Sequence, residues 1–201
     1  IVIDCGISFP DESMLGVDVV IPDMSYLEKN KDKVRGLIIT HGHEDHIGAI
    51  PYFLKSINVP VYATKLTLGI IEIKLTEHQL DKTSELVEIE PGSSFKLGCF
   101  DIEFIPVNHS IPDAVALCIT TPHGKIVHTG DFKIDLTPPQ GRTIDLSRFA
   151  ELGNEGVLAL LADSTNVERP GFTPSEQIVV SSFERLFFNC EKQIVITTFA
   201  S

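Results

Sequence analysis

Short apolar runs separated by polar turns recur along the 201-residue chain, and they predict more strands than helices. The predicted strands span residues 1–3, 19–21, 36–40, 59–63, 86–89, 94–97, 100–107, 114–120, 125–129, 157–162 and 193–197. Helical spacing of apolar residues predicts helices at 47–55, 65–78 and 174–189, the last with an apolar stripe suited to core packing. The closely spaced runs from 86 to 129 indicate antiparallel hairpins. This order favours a layered α/β sandwich with mixed sheets over a doubly wound parallel sheet.

A polar cluster, THGHEDH, lies where the predicted strand 36–40 meets the helix that follows it. Within it, His41, His43, Asp45 and His46 are potential metal ligands, whereas Glu44 is expected to face solvent. A lone histidine here would be an ordinary surface or core residue. Three imidazoles packed around a carboxylate would desolvate one another without a cation to bind. Zn²⁺ takes these ligand types, and four donors exceed what one tetrahedral ion accepts from one loop, so a dinuclear site is predicted.

Two further candidate ligands follow predicted strands later in the chain. His109 comes directly after the strand 100–107, and Asp131 follows the strand 125–129 behind Gly130. Alone, each would be read as an ordinary turn residue. Because loops at strand ends can meet at one edge of a sheet, we expect both to join the histidine cluster.

Composition limits the possible functions further. The 43% hydrophobic content supports one domain with a substantial core, and no apolar stretch is long enough to span a membrane. Four distant cysteines without CxxC pairing predict free thiols and a cytoplasmic location. The net charge of −12 argues against nonspecific nucleic-acid binding by this segment. It does not exclude a nucleic-acid enzyme, because two divalent cations would reverse the charge locally.

The amino-acid sequences of six segments resemble those of the ribonuclease J family of bacterial nucleases, within the β-CASP branch of the metallo-β-lactamase superfamily. These segments read DCGISFPDESMLGVDVVIPD, THGHEDHIGAIPYFLK, PVNHSIPDAVAL, HTGDFKID, LLADSTNVERPGFTPSE and ITTFAS. The resemblance implies an αββα sandwich truncated at the start of the β-CASP insertion. It assigns residues 1–165 to an incomplete lactamase-like domain and 166–201 to the opening of the β-CASP domain.

The resemblance also implies an activity, namely metal-dependent hydrolysis of RNA phosphodiester bonds. The family acts as a 5′-to-3′ exoribonuclease with endoribonuclease activity, in mRNA decay and rRNA processing. Hydroxide activated by two divalent ions, zinc in preference to manganese, would attack phosphorus. The implied partners are 5′-monophosphorylated RNA, further copies of the chain in a homodimer or homotetramer, and other RNA-decay proteins, with no membrane.

Family roles transfer to matching positions of this sequence. The implied ligands are, for the first metal, His41, His43 and His109; for the second, Asp45 and His46; and for the bridge between them, Asp131. Asp45 or Asp131 would accept the proton of the attacking water. Asp4, in IDCG, matches a residue that supports the histidine-rich loop, and Asp163, in ADSTN, matches the acidic motif that opens the β-CASP insertion.

Both ends of the chain lie in or next to predicted strands, so a piece of a longer protein is expected. The resemblance places one further ligand of the second metal beyond residue 201, and it implies that residues 1–201 alone are inactive. Two alternatives stay open. One is another hydrolase of this fold, acting on DNA, a lactam or a thioester. The other is a non-catalytic scaffold in an RNA-degrading complex, which would be expected to have lost metal ligands.

Overall fold

Two β-sheets form the centre of the computed structural model, which describes residues 1–139 and 141–198. The first sheet is parallel throughout, in the order β1 (Val2–Ile3), β2 (Leu37–Ile38), β3 (Val61–Ala63) and β4 (Leu86–Glu88). The second sheet has the order β5 (Ser94–Leu97), β6 (Phe100–Pro106), β7 (Val115–Thr121), β8 (Gly124–His128) and β9 (Ala159–Leu161). Its first four strands are antiparallel, as predicted, and β9 runs parallel to β8.

The described residues form six α-helices and one 3₁₀ turn. They are α1 (Ser25–Lys29), the 3₁₀ turn (Lys31–Lys33), α2 (Glu44–Ile47), α3 (Ile50–Ser56), α4 (Lys65–Glu77), α5 (Leu146–Glu155) and α6 (Gln177–Phe188). The predicted helix 47–55 is in fact two helices, α2 and α3, with Pro51 in the first turn of α3. Helices α1 and α5 were not predicted, although Asp145 caps α5 by accepting from the N–H of Arg148. In the described part of the chain, no helix combines the length and apolar character needed to cross a membrane.

Three apolar clusters show that the fold has four layers. The first cluster packs α3 and α4 on the outer face of the parallel sheet, and the second packs α5 on the outer face of the mixed sheet. The third fills the space between the two sheets. Strand β7 shows the alternation clearly, because Leu117 faces the other sheet whereas its neighbours Ala116 and Cys118 face α5. The predicted αββα sandwich is therefore confirmed.

Three local predictions were wrong. The run 86–89 forms β4 of the parallel sheet rather than a hairpin strand, because α4 carries the chain back to pair parallel with β3. The run 19–21 makes a single bridge, between Ser8 and Val20. The run 193–197 forms no strand, since no strand of the described residues pairs with it.

The apolar stripe of α6 does not pack into a core of the described residues, contrary to expectation. Its members Phe183 and Phe187 are 42% and 44% exposed. Polar contacts instead hold the start of α6, since Lys133 pairs with Glu176 and the side chain of Asp135 accepts from the N–H of Glu176. The amphipathic pattern predicted the helix correctly, but it did not identify what covers the helix.

The four cysteines are predicted to differ sharply in reactivity. All are free; Cys5 and Cys118 are buried, whereas Cys99 and Cys190 are exposed. Burial raises the pKa of the Cys5 thiol to about 12 and also raises the pKa of Cys118. Because thiolates are the reactive form, a disulfide reagent should rapidly modify Cys99 and Cys190 in the native protein. It should modify the other two only after denaturation, which mass spectrometry of labelled peptides would show. Rapid native labelling of Cys5 would contradict this packing.

Candidate metal centre

The candidate site lies where the carboxyl ends of strands from both sheets meet. Strands β1 and β2 lead into Asp4 and the histidine-rich loop, whereas β6, β8 and β9 lead into His109, Asp131 and Asp163. A hydrogen bond from the N–H of Val115 to the carbonyl of Thr40, 3.0 Å long, joins the two sheets at this edge. Loops that are distant in sequence are thereby brought to one place.

Three histidines converge in a first group. The Nδ1 atom of His43 lies 3.1 Å from Nε2 of His41 and 3.0 Å from Nε2 of His109. Potential ligand nitrogens of all three residues lie within 4.8 Å of one another. The expected proximity of His109 to the polar cluster is thus found in the structure.

A second group consists of His41, His46 and Asp131, whose potential ligand atoms also lie within 4.8 Å of one another. His41 belongs to both groups, and Asp131 also contacts the first one, because its Oδ1 is 3.4 Å from Nε2 of His46 and its Oδ2 is 3.6 Å from Nε2 of His109. Asp45 is at the rim, with Oδ2 3.7 Å from Nε2 of His46 and a side chain that is 60% exposed. All six predicted ligands therefore lie at one site, and Asp131 contacts His46 on one side and His109 on the other.

Asp4 lies beneath the loop and contacts it at three points. Its Oδ1 accepts from the backbone N–H of Thr40 at 2.8 Å. Its Oδ2 accepts from the hydroxyl of Thr40 at 2.8 Å and lies 2.7 Å from Nδ1 of His46. Asp4 itself adopts a left-handed backbone conformation, with φ of 56°, which aspartate tolerates better than most residues. The supporting role of Asp4 stays a prediction, and these three contacts are the ones through which it would act.

The protonation of His46 differs from that of the other three histidines. Burial, together with the positive charge of His46, lowers the pKa of His41 to about 2. Burial also lowers the pKa of His43 and of His109. For His46 burial acts in the same direction, but hydrogen bonds to Asp131 and Asp4 outweigh it and raise the pKa to about 10. The first group therefore consists of neutral imidazoles, the form in which histidine binds metals.

The donor set fits divalent metal ions. Nitrogen ligands about 2.05 Å from a tetrahedral zinc lie roughly 3.3 Å apart. The two short nitrogen–nitrogen distances in the first group, 3.1 and 3.0 Å, are close to this value. At these distances one imidazole N–H can donate to the next nitrogen, whereas a cation at their centre could instead bind all three nitrogens through their lone pairs. Imidazole with carboxylate is a ligand set that suits zinc and manganese alike.

Two glycines allow the loops to approach this closely. A Cβ atom on Gly6 would lie 1.6 Å from the backbone oxygen of Asp45, so the chain segments could not pack as they do. Gly130 has φ of 56°, and a Cβ there would lie 3.0 Å from Cβ of Thr40. A side chain at Gly130 would therefore crowd the neighbouring loop and strain the turn that presents Asp131.

Asp163 lies near the site but makes none of the described hydrogen bonds to the six candidate ligands. Its backbone N–H donates to Oγ1 of Thr129, and its carboxylate accepts from the N–H of Thr165. It lines a cavity of about 510 Å³ together with Asp4, Asp45, His46 and Asp131. The described hydrogen bonds of Asp163 therefore hold its own loop rather than the candidate ligands.

Several contacts at the site were not predicted from sequence. Thr40 links Asp4 to His41, because its hydroxyl oxygen is also 3.0 Å from Nδ1 of His41. Glu44 does not simply face solvent, as had been expected, but forms an ion pair with Lys74 of α4. The only sequence signal for Thr40 was its place directly before the first histidine.

Other side chains brace the loops after β6 and β8. Asn108 donates to the carbonyl of Arg142 and accepts from the N–H of Ile144, which anchors the loop just before His109. Nδ1 of His128 accepts from the N–H of Gly130 and so shapes the turn before Asp131. These contacts join residues distant in sequence or depend on the local turn, so spacing alone could not indicate them.

Comparison with known proteins assigns the chain to a family. The model of the metallo-beta-lactamase superfamily matches residues 1–181. The chain belongs to the metallo-β-lactamase superfamily. The resemblance seen in the sequence is confirmed at this level, and the αββα sandwich is the fold expected of such a chain.

Within the metallo-β-lactamase superfamily, the chain is similar along its whole length to proteins named ribonuclease J. It is 49% identical to ribonuclease J of Helicobacter pylori and 46% identical to that of Synechocystis sp.. These matches cover 100% of this chain but only 29% and 32% of the two relatives, so the chain spans about a third of their length. A crystal structure of a protein of unknown function from Enterococcus faecalis V583 matches 92% of this chain and 51% of its own, with a TM-score of 0.62 and 19% identity. At that identity it supports the fold alone.

Proposed function

We propose that this chain is the catalytic-site portion of a dinuclear-metal ribonuclease that hydrolyses phosphodiester bonds in RNA. The proposed substrate is RNA with a 5′-monophosphate, degraded from that end, with some internal cleavage. Zinc is the proposed metal, with manganese as the alternative. The proposal includes the division of the chain into a lactamase-like part, residues 1–165, and the start of a β-CASP domain, residues 166–201.

One observation carries the proposal. Six side chains of the ligand types that zinc prefers, Asp131 among them, come from three separate loops and converge at one site. The chain is 46% and 49% identical along its whole length to two proteins named ribonuclease J, which supports RNA as the substrate of this metal centre. A non-catalytic scaffold would be expected to have lost some of the six candidate ligands.

The proposed roles follow from position. His41, His43 and His109 would hold one cation; Asp45 and His46 would contribute to the other; and Asp131 would contact both. When bound, two divalent cations would supply an acidified water as the nucleophile and positive charge beside the phosphate oxygens. The chain's own residues must then orient the imidazoles and remove the proton released on attack.

Asp45 is the better placed of the two candidate proton acceptors. Both oxygens of Asp131 face imidazole nitrogens, at 3.4 and 3.6 Å, and leave little room for another partner. The side chain of Asp45 is 60% exposed, so a proton accepted there can pass to solvent. We therefore assign proton removal to Asp45 and charge-bridging to Asp131. No serine or cysteine nucleophile is required by this arrangement.

The proposal is tested by substrate choice in the full-length protein. Metal-loaded protein should shorten 5′-monophosphorylated RNA from its 5′ end, and a chelator should stop the reaction. The same preparation should leave single-stranded DNA of equal sequence, a β-lactam and a glutathione thioester unchanged. Hydrolysis of a lactam or thioester without RNA cleavage would overturn the assignment. Cleavage of DNA alone would establish the DNA-nuclease alternative instead.

Several further predictions belong to this proposal and rest on the resemblance or, for the location, on the cysteine pattern. They are the cytoplasmic location, the homodimeric or homotetrameric assembly, the contacts with other RNA-decay proteins, and the inactivity of residues 1–201 by themselves. The last follows from the further ligand expected outside this segment. Gel filtration of the full-length protein and assay of the segment alone would address the assembly and the inactivity.

A further inference from the structure

The hydroxyl group of Thr40 lies between a carboxylate and a candidate ligand. Its oxygen is 2.8 Å from Oδ2 of Asp4 and 3.0 Å from Nδ1 of His41. The residue is 1% exposed, so water does not compete for these contacts. The hydroxyl therefore couples Asp4 to a histidine that Asp4 does not itself touch.

The direction of these two hydrogen bonds follows from the groups involved. A hydroxyl has one proton to donate, and a carboxylate can only accept. Since a hydrogen bond to a charged acceptor is the stronger one, the proton goes to Asp4. The hydroxyl oxygen then accepts from Nδ1–H of His41. In that tautomer Nε2 of His41 carries the free lone pair, and this is the atom 3.1 Å from Nδ1 of His43.

The same carboxylate also orients a histidine of the second group. Oδ2 of Asp4 lies 2.7 Å from Nδ1 of His46, which leaves Nε2 of that ring directed toward Asp131 at 3.4 Å. Asp4 thus acts on His46 directly and on His41 through Thr40. One carboxylate aligns an imidazole in each group, but only one of the two connections requires an intermediate side chain.

We propose that Thr40 is a positioning residue whose hydroxyl transmits the orienting effect of Asp4 to His41 and fixes the tautomer with Nε2 free to bind a metal. The inference rests on the proposed metal centre, but not on the identity of the substrate. Ligating histidines commonly donate their other N–H to an acceptor, and loss of such an acceptor lowers metal affinity about 10–100-fold.

The remaining atoms of Thr40 have structural roles that do not need the hydroxyl. Its N–H donates to Oδ1 of Asp4, and its carbonyl accepts from Val115. Its Cβ and Cγ2 atoms lie against Gly130. Valine would keep the backbone bonds, the branched shape and the methyl contact while removing the hydroxyl. The positioning role can therefore be separated from packing.

Two matched pairs of the full-length protein test the proposal. The wild type is compared with Thr40→Val, and Thr40→Ser is compared with Thr40→Ala. The two members of each pair differ in the hydroxyl group, with little or no change in packing. Zn²⁺ affinity is measured by competition with a chromophoric chelator, and coordination by the visible absorption of bound Co²⁺. We expect each hydroxyl-free variant to bind Zn²⁺ about 10–100-fold more weakly than its partner, with an altered Co²⁺ spectrum. The serine variant should stay close to wild type.

Equal affinities and spectra within both pairs would overturn the proposal, as would a serine variant as weak as the alanine variant. If the valine variant does not fold, the serine–alanine pair decides. The readouts involve no RNA, so a protein that binds metal but cleaves no RNA would refute the proposed function and leave this inference standing. A wild-type protein that binds neither Zn²⁺ nor Co²⁺ would refute the metal centre itself.

Discussion

Replacing His43 by alanine in the full-length protein is expected to lower the rate of RNA cleavage by about a thousandfold or more. Its Nδ1 is the atom that lies within 3.1 Å of both other nitrogens of the first group. Without it, two imidazoles remain where three converge. Metal ions contribute several kcal/mol to stabilising such transition states, and each 1.36 kcal/mol is tenfold in rate, which gives about this factor. Single-turnover cleavage of 5′-monophosphorylated RNA measures the loss.

The fold should survive this substitution. The side chain of His43 makes no capping hydrogen bond to α2, and the backbone contacts of the loop do not involve its ring. His123→Ala is the matched control, because that histidine is exposed in the turn between β7 and β8. Metal content per chain should fall in the His43 variant and stay unchanged in the control. A His43 variant that keeps more than a tenth of wild-type activity would argue decisively against the metal assignment.

Replacing Gly6 by alanine is expected to destabilise the domain by about 3 kcal/mol or more, the upper end of overpacking effects. The added Cβ would lie 1.6 Å from the backbone oxygen of Asp45 and 2.6 Å from the backbone nitrogen of His46. These are backbone atoms and cannot move aside as a flexible side chain would. The flanking bonds from Cys5 to the carbonyl of His46 and from Ile7 to the carbonyl of Glu44 would be lost with the displacement. Calorimetry of the metal-free protein measures the shift of this domain's unfolding transition.

The same one-methyl change at Gly69 provides the control. Gly69 lies exposed within α4, and an added Cβ there has no neighbouring atom within 4 Å. Alanine is favoured over glycine in a helix by roughly 0.5–1 kcal/mol, so Gly69→Ala should stabilise the domain slightly. Opposite signs for the two glycines are therefore expected. A Gly6 variant that unfolds at the wild-type temperature would show that the two segments are not in contact in solution.

Periodicity alone predicted most of the strands, because a strand buried on one face or both has a repeating pattern that can be read locally. It succeeded for β5 to β8, where hairpins join neighbours in sequence. It failed for the run 193–197 and for the packing of α6, because an apolar pattern does not identify its partner. Helix α5 was missed altogether, although its amphipathic face covers the mixed sheet through Leu152.

The sequence by itself determined the candidate ligand types and their local grouping, because His41 and His43 are two positions apart on an extended segment, where alternate side chains point the same way. Only the tertiary structure decided which distant residues join them. His109 is 66 positions from His43 yet 3.0 Å away, and Asp4 is 42 positions from His46 yet 2.7 Å away. The physical reason is that both sheets end at a common edge, and sheet packing rather than sequence spacing sets those distances. The orientation of each imidazole depends on the same packing, because the acceptors that hold the rings come from other strands.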